Sequence, residues 1–333
     1  MILLLVFVTA LVSALALTPL AMRLAARTGA MDRPAPRRVH HIPTPRFGGL
    51  SLFLSFLIAL GVSLIYPRSD PDEMTRLAGL FFGGVIVFSV GAYDDHRELK
   101  ALPQLAAQFI AASIAIAAGV VIRQLQNPFG DLMTFESWFA ILVTLFWLIG
   151  MMNTINWLDG IDGLAAGVVA IAAGVMFIHS FFIQQQASIA LLALALAGAT
   201  IGFLKFNFFP AKIFMGTAGA LVLGYAPGVI SIIGGAKVAT ALLVLFIPVL
   251  DVAWQIIARV RAGKSPFQAD RGHLHHRLLD LGLSQRAIVW IYYLITAIFG
   301  ALALFLPHAA SKLIALIVIG IGAVMTLFRI RTR

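Results

Sequence analysis

Residues 137–163 read SWFAILVTLFWLIGMMNTINWLDGIDG. Up to Asn153 there is no charged side chain, and an apolar run of this length approaches what a helix needs to cross about 30 Å of hydrocarbon. The character then changes. Asn153, Asn156, Asp159 and Asp162 recur at every third position, with Gly160 and Gly163 among them. Residues at i and i+3 share one side of a helix and would eclipse in a 3₁₀ turn. A membrane span therefore ends in a polar stripe. Asn and Asp oxygens suit Mg²⁺, which takes hard oxygen ligands, and the glycines allow backbone to lie close to a ligand. Four such residues at constant spacing exceed what a single cap or Asx-turn requires.

The rest of the chain extends the first half of that pattern. Of 333 residues, 61% are hydrophobic and 11% charged, whereas a soluble domain carries roughly a quarter charged residues. So few polar groups could not cover a water-facing surface. The reading is an all-α, polytopic transmembrane bundle forming one domain over 1–333. About eleven spans are predicted, near 2–22, 48–66, 77–93, 103–122, 137–153, 163–183, 187–204, 218–234, 237–256, 287–306 and 311–328. Gly79/Gly83 and Gly198/Gly202 have the spacing that lets helices approach closely. The first apolar run has no Lys or Arg before Arg23, so it reads as a retained span rather than a cleaved signal. With no cysteine, disulfides, thiolate zinc sites and a Cys nucleophile are excluded.

The net charge is +10. On a lipid-solvated chain this reflects the positive-inside rule and attraction to anionic headgroups and phosphates, not nucleic acid. With the N-terminus outside, 19 of the 24 Lys and Arg fall on inside segments; only Arg68, Arg76, Arg123, Lys237 and Lys312 fall outside. That asymmetry places the first loop, the 257–286 loop and the C-terminus in the cytoplasm. The stretches 32–47, 94–95, 153–163, 205–217 and 270–277 share that side, as an active site facing the cytoplasm would require. The outer loops hold scattered charges.

Three of these stretches add chemistry. Asp94 and Asp95 end the third span; adjacent carboxylates repel unless a cation or basic group shares them. Residues 205–219 lead into a helix start whose backbone N–H groups favour phosphate, although an interfacial loop with snorkelling lysines reads equally well. In 270–277, His273, His275 and His276 accompany Arg271 and Arg277. Arginine forks bind phosphate and histidine can donate to it; zinc and a plain basic loop are the rival readings.

Taken in order, five motifs resemble those of bacterial polyprenyl-phosphate N-acetylhexosamine-1-phosphate transferases over nearly the whole chain. They are Asp32-Arg-Pro with Pro43-Thr-Pro-Arg-Phe-Gly-Gly49, the Asp94–Asp95 pair, Asn153 to Leu164, Asn207 to Gly216, and His273-Leu-His-His-Arg277. The branch acting on N-acetylglucosamine is the nearer one by its His-x-His-His form; the phospho-N-acetylmuramoyl-pentapeptide transferases are a sister branch. The resemblance implies an inner-membrane enzyme that moves N-acetylhexosamine-1-phosphate from a UDP-sugar to undecaprenyl phosphate, releasing UMP. It implies Asp94, Asp95 and Asp159 at the catalytic centre, and Asp159, Asp162, Asn207, Arg271, His273, His275 and His276 around the donor. Asn156, Asp95 and residue 217 would hold Mg²⁺, with Mn²⁺ as an alternative. Homodimerisation through membrane helices is a further family trait.

One departure stands out. The family usually reads Met-Gly-Asp-x-Gly-Ser with the Asp as a principal metal ligand, whereas this chain has Met215-Gly-Thr-Ala-Gly-Ala220. A threonine hydroxyl can ligate Mg²⁺ but brings no charge. Weakened metal binding is expected, and a catalytically impaired binding or scaffolding protein is a second reading. A transporter is a third, for which the ionisable residues within apolar runs are His179 and Asp251.

Overall fold

The computed structural model describes residues 1–34, 42–127, 130–234, 238–265, 272–306, 310–318 and 322. Its helices are α1 (Ile2–Thr28), α2 (Gly48–Ser63), α3 (Glu73–Arg97), α4 (Ala101–Ala117), α5 (Ser137–Leu158), α6 (Leu164–Ile178), α7 (Ala187–Asn207), α8 (Gly216–Ile233), α9 (Val238–Val244), α10 (Phe246–Arg261), α11 (Leu274–Asp280) and α12 (Gln285–Phe305). A π-helical turn, His179–Ile183, continues α6. Two short antiparallel hairpins complete the described residues: β1 (Met31–Asp32) with β2 (Thr44–Pro45), and β3 (Gln124–Gln126) with β4 (Leu132–Thr134).

Apolar sequence becomes helix here because a chain in hydrocarbon must satisfy its backbone groups internally. Among the described residues, seven helices are long and apolar enough to span a membrane: α1, α3, α5, α6 with its π turn, α7, α8 and α12. The α9–α10 pair would be an eighth, but it bends by 78° at its break. The expected segments at 48–66 and 103–122 carry α2 and α4, of 16 and 17 residues, shorter than the others. Half of the segment 311–328 lies outside the described residues; 310–318 are helical. The chain is a helical, membrane-embedded protein with seven or eight spanning candidates among the described residues, by length and composition.

Helix α8 sits at the centre, with every residue buried. A helix apolar on all sides belongs in such a position. Both small-residue pairs serve close packing. A Cβ on Gly198 or Gly202 of α7 would lie 2.7 Å from the Phe7 or Leu11 carbonyl of α1. One on Gly79 would meet Ala118, and one on Gly83 the Tyr225 hydroxyl.

The charges read from sequence as outer are not all scattered. Arg68 donates to the buried Glu73 carboxylate, and its other end donates to the Ser63 carbonyl at 3.1 Å and hydroxyl at 3.0 Å. Ser188 Oγ donates to Glu73 Oε2 at 2.8 Å. This buried pair ties the end of α2 to the starts of α3 and α7. Removing one partner strands the other charge at a cost of about 3–5 kcal/mol, while replacing both with apolar groups of similar volume is often neutral. Glu73→Ala is therefore expected to lower the thermal midpoint in detergent sharply, and the double variant Arg68→Met/Glu73→Leu to recover most of it. An unchanged midpoint in Glu73→Ala would show that the pair holds nothing.

Candidate functional site

The site lies at the opposite end from that ion pair, and backbone pairing builds its frame. Phe214 N donates to the Pro45 carbonyl at 2.8 Å, Gly48 N to Phe214 O at 2.9 Å, and Gly49 N to Met215 O at 2.8 Å. Arg46 N donates to Ala30 O at 2.9 Å. The β2–α2 junction is thereby fastened along residues 213–215, bringing the starts of α2 and α8 together. At Gly49 a Cβ would overlap the backbone of Gly219, and at Gly91 of α3 it would lie 2.5 Å from Ala218 Cα. The last turn of α3 can lie against the first turn of α8 only because that position is glycine.

Asp94 and Asp95, both buried, meet α8 there. Thr217 N donates to Asp95 Oδ1 at 2.7 Å and Ala218 N to Oδ2 at 3.2 Å. Thr217 Oγ1 donates to Asp94 Oδ2 at 2.6 Å. Asp94 Oδ1 accepts from Leu99 N at 2.7 Å and Gln104 Nε2 at 2.9 Å. Arg46 Nε pairs with Asp95 Oδ1 at 3.1 Å, and its Nη2 donates to Thr217 Oγ1 at 3.3 Å.

These contacts bear on two expectations. The N-terminus of α8, read as a phosphate cradle, already holds a protein anion: the orphan N–H groups of its first turn are satisfied by Asp95. At Asp95 and Thr217, read as metal ligands, protein donors are already in place. All four oxygens of Asp94 and Asp95 are engaged by protein donors, and Thr217 Oγ1 both donates and accepts. Among the described residues, moreover, no group of three His, Asp or Glu could hold an ion.

The polar stripe opens out where α5 ends. Asn153 Nδ2 donates to Gln108 Oε1 of α4 at 2.6 Å. Asn156 lines a cavity of about 240 Å³ with Gln104, Gln108, Asn153 and Trp157. It faces α4 there, beside Gln104, which also donates to Asp94. Asp159 caps the helix and Asp162 follows in the turn. Asp162 Oδ2 accepts from Ala211 N at 2.8 Å, lacing this turn to the loop after α7. Asn207 acts as a brace, its Nδ2 donating to Ile213 O at 3.0 Å; its buried Oδ1 has no partner among the described residues. Asp159 is pushed up to about 7, chiefly by burial; Arg46 opposes this, while Asp95, Asp162 and Asp32 add to it. Four carboxylates and one guanidinium thus share one electrostatic neighbourhood.

The histidines arrive on α11, docked by a buried polar stripe of α10: Asp251, Gln255 and Arg259, spaced four apart. Asp251 Oδ2 accepts from His273 Nδ1 and its Oδ1 from Leu274 N, each at 2.9 Å. Gln255 Nε2 donates to Gly272 O. Trp157 joins the two parts, its ring 5.7 Å from that of His273 and 5.2 Å beneath the Arg259 guanidinium. His275 is fully buried against Gly160, where any Cβ would strike its ring. Burial first, then His276 and His273, holds it well below the ordinary imidazole value. It is neutral at pH 7, and neither ring nitrogen has a partner among the described residues. Arg271 lies outside them.

The structure thus brings Asp94, Asp95, Asp159, Asp162, Asn207, Thr217, His273, His275 and His276 to one end of the bundle. Three contributors were not selected from sequence: Arg46, Asp251 and Gln104. An acid inside an apolar run is a functional signal in itself; it marked Asp251 for the transporter reading and not for this site. As the His273 partner, Asp251 belongs to this site and not to a transport path.

The model of glycosyl transferase family 4 matches residues 77–235. Over 91% of its length the chain is 34% identical to a probable undecaprenyl-phosphate N-acetylglucosaminyl 1-phosphate transferase of Bacillus subtilis, spanning 84% of that protein. It is 36% identical over 92% of its length to a decaprenyl-phosphate N-acetylglucosaminephosphotransferase of Mycobacterium tuberculosis, again spanning 84%. A phospho-N-acetylmuramoyl-pentapeptide-transferase of Oceanobacillus iheyensis is 31% identical over 79% of the chain and 83% of its own length. On its motifs, its geometry and these likenesses, the chain belongs to glycosyl transferase family 4.

Proposed function

We propose that the protein transfers N-acetylglucosamine-1-phosphate from a UDP-sugar to undecaprenyl phosphate in the inner membrane, with this end of the bundle facing the cytoplasm. The observation that supports it best is the convergence of Asp94–Asp95, Asp159–Asp162, Asn207 and His273–His276 on one end of the bundle from segments far apart in sequence. In this reading an acceptor phosphate oxygen attacks the sugar-linked phosphorus. The bond from that phosphorus to the bridging oxygen breaks, and UMP leaves with the electron pair. A phosphate monoester has its second pKa near 6, so the acceptor is mostly dianionic at pH 7 and needs little base help. Phosphoryl transfer is then a matter of positioning and charge neutralisation. Asp95 fixes Arg46, Asp251 fixes the His273 tautomer, and neutral His275 packs buried against the Gly160 turn.

Purified protein incubated with undecaprenyl phosphate and labelled UDP-N-acetylglucosamine should give organic-extractable label with matching UMP. Label from UDP-N-acetylmuramoyl-pentapeptide alone would move the chain to the sister branch. No label from either donor would overturn the reading.

Asp159 gives the rate a pH signature. Below about 7 it is protonated and can donate to a phosphate oxygen; above, it adds a negative charge facing the donor. The donor kcat/KM should fall as pH rises through about 7, and Asp159→Asn, neutral throughout, should lose that limb. The acid limb, set by the acceptor phosphate near 6, should remain in both. A native profile that climbs through the same window would mean the ionised form is the working one.

A further inference from the structure

We propose that Arg46 is the resident cation of this site, neutralising charge on the reacting phosphates, and that no divalent ion is held among Asp94, Asp95 and Thr217. The inference rests on the transfer reading above and names the group that supplies its positive charge. Arg46 stands between an aspartate and the residue where a metal-binding carboxylate was expected. Its Nε is 3.1 Å from Asp95 Oδ1 and its Nη2 3.3 Å from Thr217 Oγ1. A guanidinium has five N–H groups, so these contacts leave three. Its side chain is 19% exposed, which leaves the remaining fork open to a ligand.

The carboxylates are disposed to hold Arg46, and not to share an ion. Each oxygen of Asp94 and Asp95 already accepts from Thr217, Ala218, Leu99, Gln104 or Arg46. An ion entering would find one further lone pair on Asp94 Oδ2 and one on Asp95 Oδ2, each oxygen already accepting a single bond, and would stand against a fixed guanidinium. Residue 217 matters in the same way. A carboxylate there would add a third negative charge beside Asp94 and Asp95, where a hydroxyl proton now bridges to Asp94, and that repulsion would itself call for a further cation. The threonine hydroxyl donates to Asp94, accepts from Arg46, and removes the need. Arginine also matches phosphate geometry, presenting parallel N–H groups to two oxygens.

The test uses the purified full chain in zwitterionic detergent, with Mn²⁺ as the probe. Spin-resonance titration should show no Mn²⁺ bound that depends on Asp95, and transfer should change by no more than about twofold when EDTA replaces Mg²⁺. Arg46→Ala should cut transfer by about 10²–10³-fold, the range for removing one preorganised charge-stabilising donor. Arg46→Lys keeps the charge and the fold but loses the planar fork, and should retain about a tenth of the native rate. One Mn²⁺ per native chain that vanishes in Asp95→Asn, or transfer abolished by EDTA, would overturn the inference while leaving the transferase reading intact. No transfer by the native chain under any condition would overturn that reading instead, and the Mn²⁺ signal answers the cation question without turnover.

Discussion

Replacing Asp95 with asparagine should lower transfer by about 10³-fold, at the upper end of what one preorganised electrostatic contact supplies, and should lower the thermal midpoint as well. The carboxylate is acceptor-only, and its surroundings are donors on both sides. Oδ1 receives Thr217 N and Arg46 Nε; Oδ2 receives Ala218 N. An asparagine keeps the shape but turns one oxygen into an NH₂. In one orientation that group faces Ala218 N–H; flipped, it faces Thr217 N–H and the guanidinium. Either way a buried donor opposes a donor, an unsatisfied contact worth on the order of 1–3 kcal/mol, and the ion pair with Arg46 is lost too. The first turn of α8 then loses its anchor and Arg46 its position.

Asp94→Asn is the natural comparison. Its neighbours include the Gln104 amide at 2.9 Å and the Thr217 hydroxyl at 2.6 Å. An amide can flip and a hydroxyl can rotate, so this variant should melt closer to the native chain. Thermal unfolding with the extraction assay checks both claims. An Asp95→Asn protein keeping more than about a tenth of native transfer would mean that the carboxylate does not hold an electrostatic contact of that size.

Composition made the membrane class legible, because no packing detail is needed to see that 11% charged residues cannot clothe a soluble fold. Counting spans is harder. Whether the run at 237–256 crosses unbroken depends on the bend at Leu245, where α9 gives way to α10, and tertiary packing sets that bend. The polar motifs were legible as chemistry because acids, amides and imidazoles are costly in hydrocarbon. Their partners were not. Arg46 reads in sequence as one more positive-inside residue, and nothing local says that it meets Thr217 across 171 positions. The start of α8 has every feature of a phosphate cradle except vacancy; the anion filling it comes from α3. Asn207 looks like a ligand, yet one arm of its amide braces the loop to Ile213. In each case local sequence specifies a capability, and the fold decides which neighbour uses it.

Gly160→Ala should be nearly as damaging as losing a catalytic group, although it adds only a methyl. The added Cβ would overlap the His275 ring, so either the ring or the 160–163 turn must yield. The turn is held at both sides. Asp162 Oδ2 accepts from Ala211 N at 2.8 Å, and Gly163 O accepts from Tyr293 Oη at 2.6 Å. The histidine ring is the softer element, since neither of its nitrogens is bonded to a described residue. Its displacement disturbs His273, stacked 5.8 Å away and tied to Asp251. A misplacement of about 1 Å can cost 10²-fold in rate, and a loss of that order is expected in kcat/KM for the donor. Overpacking of this kind costs about 1–3 kcal/mol, so the protein should still fold. Non-additivity separates this route from a general loosening. If Gly160→Ala acts by moving His275, then adding it to His275→Ala, where the ring is gone, should cost nothing further. Residues in contact couple in this way, whereas independent defects add. Losses that simply multiply in the double variant would show that the alanine acts elsewhere in the turn.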